Sequence, residues 1–491
     1  MLFVSNKKKF IKNFLNKIKS NFVNSKKTIF LNNEFSLKYN ETYKDIKKIL
    51  YVLRNLKKKR IAVFSNKSSN YYIIVISIIF SGNTWIQISP NIPLERIKKI
   101  IKVSKVKYGF YDQSFANNNI LKKIKIKFFE TNLIIKNNHK ILSPDFKNIS
   151  PDDTAMIFFT SGSTSDPKGV KISYYSFIYS AMCQIKTLRY RKNKEIFSDY
   201  HDSSFVMSLN IIFPALYLNC TISPLITMYD KLKPTEHILK NKITVLITVP
   251  SFLLYMEKYL NNKIYIKNII FCGENFSLNT FELVKSKIKF QNLFNCYGST
   301  ELSPWAFFYK YKSDDYNIIK KNNQLPIGRP YHGIKTFINK NNELCLSGPV
   351  LSQGYLNKKE NKEKFFRIKK KIFYNTGDTC KIVKSNLYFI TGRNDKQIKL
   401  KGYRINLLEV ENCTKGIKGI NYTLCFKKQK EEKLILIVFC KYKKKESEIL
   451  NFLKLRLPSY MIPENLVLLR KIKLNKNAKV DRQYYKEKYS K

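Results

Sequence analysis

The period of the apolar positions changes along the chain, and each change marks an element. Near the start, Phe10, Phe14, Ile18 and Phe22 recur every four residues among lysines and asparagines. That spacing predicts an amphipathic helix docked by one face. Through the first 300 residues, short apolar runs then alternate with helical patterns. IAVFS (61–65) precedes YYIIVISIIF (71–80), TWIQIS (84–89) precedes PLERIKKIIKVS (93–104), and KYGFYD (107–112) follows. Further on, ITVLITVP (243–250) leads into SFLLYMEKYL (251–260), and NIIFCGE (268–274) is another apolar run closed by a loop. Near-continuous apolar strands alternating with helices predict parallel, doubly wound sheets with both faces covered. The ten residues 71–80 are too few to span a bilayer and read as a buried helix, so no transmembrane segment is expected.

After residue 325 the pattern shortens. ELCLSGP (343–349), KIFYNTGD (371–378) and NLYFITGR (386–393) are separated by turn residues and predict antiparallel hairpins or a small barrel. Beyond them come a helical pattern near 406–415, strand-like runs near 421–440, and another helix ahead of LPSYMIP (457–463). The expected fold class is α/β. A large N-terminal domain of doubly wound sheets plus a small β-barrel (1–393) is followed by a small, mobile α+β domain (394–491).

Composition adjusts this picture in three places. At 491 residues and 44% apolar, the chain can bury two or three domain cores. Lys+Arg is 91 against 35 Asp+Glu, a net charge of +56, which by itself invites a nucleic-acid or anionic-membrane partner. The lysines are scattered, however, and Lys, Asn, Ile, Tyr and Phe are abundant while Gly, Pro and Arg are scarce. A/T-rich codon usage accounts for that, and no specific nucleic acid is expected as a partner. The nine cysteines, among them Cys183, Cys220, Cys272, Cys296 and Cys345, form no C-x-x-C pair and read as reduced, buried thiols of a cytoplasmic protein. His139, His201, His237 and His332 lack metal-ligand spacing. The basic N-terminus lacks the apolar core of a signal peptide.

Candidate chemistry begins at FFTSGSTSDPKGVKIS (158–173), where the apolar run AMIFF ends in Thr160. Thr160, Ser161, Ser163 and Thr164 offer hydroxyls, Gly162 and Gly169 permit close backbone approach, and Lys168 adds a positive charge. Such a loop can wrap an oligophosphate. It is not a Walker A loop, because Pro167 and Gly169 stand where that pattern needs Gly and Ser or Thr. Taken alone, a Ser/Thr/Gly-rich turn of this kind is more often a plain solvated loop.

It does not stand alone. T-S-G-S-T-x-x-P-K-G-V (160–170) resembles the signature of the adenylate-forming enzyme superfamily, and further matches follow in that family's order. They are FCGENFS (271–277), NCYGSTE (295–301), ELCLSGPVLSQGYLN (343–357), YNTGD (374–378), GRNDKQIKLKGYRINLLEVE (392–411), LPSYMIP (457–463) and NKNAKVDR (475–482). The resemblance spans roughly residues 35–485 and is closest to amino-acid adenylation domains and D-alanine–carrier protein ligases.

The resemblance implies an AMP-forming acid–thiol ligase that uses ATP and Mg2+. Such an enzyme converts a carboxylic acid to acyl-AMP and passes the acyl group to the phosphopantetheine thiol of a carrier protein, or to CoA. It implies that the 160–169 loop holds the β- and γ-phosphates, and that Gly273 and Glu274 lie beside adenine. Asn295, Tyr297 and Gly298 would shape the nucleotide pocket, with the Tyr297 ring stacked on the base. Thr300 would reach the α-phosphate, and Glu301 would be the carboxylate for the metal. Asp378 would accept the ribose hydroxyls, and Arg393 would touch ribose or phosphate. Asp395 would be the hinge, Gly402 would let pantetheine pass, and Lys479 would be the catalytic lysine. No phosphopantetheine-attachment motif follows, so a carrier would act in trans.

The chain departs from the family pattern where the acid should bind. Amino-acid-activating members carry F-D-x-S, and here that register holds Phe205-Val206-Met207-Ser208. Val206 cannot pair with an α-ammonium group, and Asp202 and His201 are out of register to replace it. Ser299 stands for a frequent Pro, Asn342 and Ala478 stand for turn glycines, and Leu408 replaces the glycine before Glu409. None of these removes a chemical group, so an active enzyme is expected. The alternatives are an acyl- or aryl-CoA synthetase and, from another class, a basic nucleic-acid or membrane-surface binder on an inactive enzyme fold.

Overall fold

The computed structural model describes residues 6–33, 35–116, 119–137, 140–162, 166–260, 264–383, 386–428, 431–440, 445–474 and 480–490. The chain divides into two compact units. One holds the residues up to Pro90, Lys105–Phe158 and Val170–Gly392; the other holds Asn91–Ser104, Phe159–Gly169 and Arg393 onward.

The first unit is built on two large sheets. A six-stranded sheet runs in the order Lys127–Glu130, Tyr108–Tyr111, Arg60–Phe64, Thr84–Ile88, Thr154–Thr160, Lys168–Ser173. Its first four pairings are parallel, with Trp85 opposite both Ile61 and Met156. A nine-stranded sheet has a parallel centre, in which Val245–Thr248 lies between Ile196–Asp199 and Ile264–Cys272, and antiparallel edges. The apolar run at 71–80 is the core of helix Ser69–Phe80, and all ten of its residues are buried. Ser68 starts that helix by accepting the Tyr71 N–H at 3.2 Å.

The amphipathic N-terminus is helix Lys7–Asn24, and Ile11, Phe14, Leu15, Ile18 and Phe22 are buried on its apolar face. Phe14 stacks on Tyr217 with ring centroids 4.9 Å apart, and the Asn21 amide donates to the Leu216 carbonyl at 2.7 Å. Burying each such side chain stabilises by about 1.5–3 kcal/mol, so this face belongs to the core and not to a membrane. Among the described residues no helix is long and apolar enough to cross a membrane.

The segments read as hairpins or a small barrel form five strands. Their order is Lys335–Ile338, Glu343–Ser347, Lys371–Val383, Phe365–Ile368, with Leu387–Arg393 also paired on Lys371–Val383. Asn342, in place of a turn glycine, takes φ +60°, which asparagine tolerates better than most residues.

In the second unit, strands Gln397–Leu400 and Tyr403–Asn406 form a hairpin closed by Lys401 and Gly402, at φ +50° and +82°. Two consecutive left-handed residues are the two-residue turn whose twist suits a hairpin. Helix Leu407–Cys413 follows, then a sheet of Ile420–Lys428, Lys433–Cys440 and Asn465–Leu469, with helix Glu446–Lys454 between its last two strands. Helix Leu94–Ser104 and the 159–169 loop group with this unit although they precede it by hundreds of residues. The cause is a buried ion pair between Arg96 and Glu409, together with hydrogen bonds from Ser161 and Gly162.

Candidate active site

In the second unit, Thr160 ends its strand half-buried and Ser161 follows, almost fully buried. The Ser161 hydroxyl donates to the Arg404 carbonyl at 2.7 Å and accepts the Asn406 N–H at 3.0 Å. The Gly162 N–H donates to Glu409 Oε2 at 3.0 Å. A Cβ on Gly162 would lie 2.5 Å from the Asp166 carbonyl oxygen, so only glycine fits this fold of the loop. Asp166 in turn pairs with Lys99 at 3.0 Å, and Lys168 and Gly169 are buried. Ser163 and Thr164 lie outside the described residues, as do Lys479, Ala478 and His139.

Glu409 is presented by helix Leu407–Cys413, whose N-cap Asn406 accepts the Leu408 N–H at 3.0 Å. Its second oxygen pairs with Arg96, and both side chains are buried. Burial pushes the Glu409 carboxyl up from the usual carboxylate range, and Arg96 and the Gly162 N–H pull against that shift. In the same unit, Arg393 grips Asp395 through two parallel bonds of 2.8 and 2.9 Å and reaches Gln397 Oε1 at 3.1 Å. The expected ribose or phosphate arginine and the expected hinge are therefore one bidentate pair.

In the first unit the Tyr297 hydroxyl donates to Asp378 Oδ2 at 2.6 Å, although the two residues are 81 positions apart. The expected adenine ring and the expected ribose carboxylate thus sit side by side, both buried. Thr376–Asp378 is not a hairpin turn but lies within strand Lys371–Val383. Gly377 takes φ +74° there, and its N–H is held by Asn375 Oδ1 at 3.0 Å. Gly298 sits where strands Ile288–Gly298 and Trp305–Lys310 slip in register, and a Cβ there would meet the Pro304 carbonyl oxygen at 1.9 Å. Thr300 and Glu301 open a short 3-10 turn, and Glu301 Oε1 accepts the Tyr355 hydroxyl at 2.7 Å. Tyr355 belongs to the GYLN end of a quoted motif, but nothing in that motif signalled its role as the partner of Glu301.

Two expected nucleotide contacts have structural partners. The Asn295 amide donates to the Pro326 carbonyl at 2.9 Å. Both Glu274 oxygens accept from Ser251, from its N–H and its hydroxyl, each at 2.9 Å, at the start of helix Pro250–Met256. Gly273 takes φ +84°, and a Cβ there would face Val249 and Met207 at 3.3 and 3.4 Å.

Around the register where the acid is expected, Val206 is half-buried, Met207 is buried, and Cys272 Sγ lies 3.1 Å from Met207 Sδ. Asp202 accepts from Ser204 (2.9 Å from its N–H, 2.6 Å from its hydroxyl) and from Ser89 (3.1 Å). Beneath this loop is a network that sequence reasoning missed. Lys67 pairs with Asp199, and the Tyr72 hydroxyl donates to Asp199 Oδ2 at 2.6 Å. His201 donates its Nε2–H to the Ile247 carbonyl at 3.1 Å. Burial and the nearby Lys67 push this imidazole down from 6.5 to about 4. Its contribution to stability is therefore present above pH 6.5 and lost as pH falls toward 4, where the unfolded ring is protonated and the native ring is not. The ring is partly exposed, so the full value of about 3 kcal/mol is an upper bound. Denaturant unfolding at pH 7.5 and 4.5 should show a smaller loss for His201→Gln than for the unmodified chain. Identical losses would refute this assignment.

All nine cysteines are free thiols, and eight are buried. Burial pushes Cys380 and Cys413 up to about 11, so neither is a thiolate nucleophile at neutral pH. Among the described residues no group of three His, Cys, Asp or Glu side chains could hold a metal ion.

With this geometry in view, comparison with known proteins is informative. A family model described as AMP-binding enzyme matches residues 20–356. A D-alanine–D-alanyl carrier protein ligase of Staphylococcus epidermidis is 28% identical over 470 residues, covering 91% of this chain and 93% of that protein. Among solved structures, the Vibrio cholerae adenylation domain AlmE, in complex with glycyl-adenosine-5'-phosphate, superposes with a TM-score of 0.81. It is 18% identical, with 96% of this chain and 98% of that one covered. The o-succinylbenzoate CoA synthetase of Bacillus subtilis superposes with a TM-score of 0.84 at 16% identity, over 96% of this chain and 98% of that one. Both structures share the fold: mixed α/β, with a large N-terminal sheet domain and a smaller C-terminal domain.

Proposed function

This chain belongs to the AMP-binding enzyme family, and on that footing we propose that it adenylates a carboxylic acid with ATP, then transfers the acyl group to the phosphopantetheine thiol of a carrier protein acting in trans in the cytoplasm. The observation that carries the reading is the Tyr297–Asp378 pair. It sets an aromatic face beside an acceptor-only carboxylate, which suits a base with its vicinal ribose diol.

The remaining roles follow from chemistry. The 160–169 loop holds the β- and γ-phosphates through its N–H groups, hydroxyls and Lys168. Thr300 donates to the α-phosphate. Glu301, buried and steadied by Tyr355, is a single carboxylate of the kind Mg2+ accepts when phosphates complete its shell. When bound there, the metal would neutralise triphosphate charge. Asn295, Gly298, Gly273 and Glu274 shape the pocket wall. Lys479 stabilises the charge that develops as the carboxylate attacks. After adenylation, residues 394–491 move about Asp395, which frees Arg393 from its bidentate grip, and Gly402 gives pantetheine a close path.

A second reading, a CoA synthetase, is favoured by Val206, which offers no partner to an α-ammonium group, and by Ser299. One experiment addresses both. ATP–pyrophosphate exchange should depend on an added carboxylic acid across a panel with and without α-amino groups. Thioester should then form on a pantetheinylated carrier protein and not on CoA. Thioester on CoA alone would select the second reading, and absence of exchange with any acid would remove both.

A further inference from the structure

Within the first unit, a pocket of about 470 Å³ opens where helix Tyr174–Leu188 ends against strands Ile288–Gly298 and Trp305–Lys310. That volume falls within the ~300–1,000 Å³ of small-molecule sites. Arg189, Lys267 and Lys310 line it, together with Asn292, Phe294 and Phe308. None of these residues has a place in the nucleotide site, although Phe294 lies on the strand that ends in Tyr297 and Gly298.

The charges around the pocket do not balance. Buried Glu195 takes Lys267 at 2.8 Å and Arg191 at 3.0 Å, and it accepts the Thr244 hydroxyl at 2.7 Å. Arg189 and Lys310 have no carboxylate partner among the described residues. Asn268, the register partner of Asn292, is 1% exposed. Its Oδ1 accepts the Asn292 amide at 2.8 Å, and its own Nδ2 has no partner. A buried donor left unmet is costly. The spare polar capacity here is thus donor capacity, two cations and a buried amide. The apolar part of the wall is aromatic. Phe308 stacks on buried Tyr331 with ring centroids 5.4 Å apart, and Lys310 stands opposite Phe294 with its ammonium 6.0 Å from that ring. Scattered lysines make a basic surface ordinary in this chain, but not a basic concavity with two phenyl groups in its wall.

We propose that this pocket binds a small organic anion, a carboxylate or phosphate group on a flat apolar body. The anionic group meets Arg189 and Lys310 and is turned toward the Asn268 amide, and the flat body rests on Phe294 and Phe308. The site goes beyond the adenylation reading and does not depend on it.

The test is calorimetric titration of the full chain at pH 7.5 with phenyl phosphate, benzoate, phenol and inorganic phosphate. The first two carry both parts of the ligand and show which anion the pocket takes. Phenol carries the ring alone, and inorganic phosphate the anion alone. Phenyl phosphate or benzoate should bind about tenfold or more tighter than either partial probe. In a double variant, Arg189→Gln with Lys310→Gln, that affinity should fall by about tenfold or more. Both side chains are exposed and lack carboxylate partners, so their loss does not threaten the fold. A second measurement needs no variant: hydrogen exchange across 290–294 and 306–310 should slow when the tighter probe is added. Inorganic phosphate binding as tightly as phenyl phosphate and benzoate would mean an adventitious ion only and would overturn the proposal. So would failure of phenyl phosphate and benzoate to bind, affinity unchanged in the double variant, or exchange in those segments unchanged by the probe. Absence of ATP–pyrophosphate exchange with every acid would instead remove the adenylation reading and leave this pocket standing.

Discussion

Lys479→Ala is expected to lower acid-dependent ATP–pyrophosphate exchange by about 10²- to 10³-fold, the effect of removing one group that meets transition-state charge. Attack of a carboxylate on the α-phosphate places extra negative charge around phosphorus, and a lysine delivered there stabilises that charge more than it stabilises bound ATP. The KM for ATP should therefore change little while the rate falls. Transfer from supplied acyl-AMP to a thiol develops no such charge at phosphorus, so it should survive the substitution. The chain is tied down beside this residue. Leu474 and Val480 pair in an antiparallel bridge, Asp481 caps helix Arg482–Tyr489 by accepting the Tyr484 N–H at 3.0 Å, and Arg482 pairs with Glu411. A variant that keeps those anchors tests the lysine and not the fold. Exchange at the unmodified rate, or equal loss in both half-reactions, would refute the assignment.

The sequence was most legible where a period decided the matter. The four-residue spacing of Phe10, Phe14, Ile18 and Phe22 and the unbroken apolar run at 71–80 led to helices Lys7–Asn24 and Ser69–Phe80. The alternation of strands and helices led to parallel sheets, and the family's motif order led to the fold. It was least legible where a contact joins distant residues. Arg96 reads as one more base on an amphipathic helix, yet it is buried against Glu409 and helps group Asn91–Ser104 with the C-terminal residues. Thr376–Asp378 reads as a turn from its composition. Instead, the Asn375 and Thr376 side-chain oxygens accept the backbone N–H groups two residues on, those of Gly377 and Asp378, and let a strand pass through a left-handed glycine. Tyr355 and Glu301 lie in two separate motifs, and only the folded chain makes them partners.

The clearest case is Lys67, one lysine among very many, which the fold buries against Asp199, 132 residues away. Lys67→Met should destabilise the first unit by about 3–5 kcal/mol, because the partner left behind is a carboxylate with a wholly buried side chain. Burial alone pulls the Lys67 ammonium down, and Asp199 pulls it back up, so each charge is tolerable only beside the other. The companion variant separates burial cost from packing. Lys67→Met with Asp199→Leu removes both charges and leaves the Tyr72 hydroxyl as the main orphan, a loss nearer 1–3 kcal/mol. Urea unfolding should therefore rank the double variant above the single one. A single variant within about 0.5 kcal/mol of the unmodified chain would show instead that the pair contributes no more than an ordinary surface position. The pair also lies under the loop that carries His201 and Val206, and Lys67 is one of the groups that hold the His201 ring down. Its removal should move that ring toward its usual range and loosen the segment where the acid is expected to bind. The single variant should then lose acid-dependent exchange even under conditions where it remains folded. Loss of stability with exchange intact would confine Lys67 to the core.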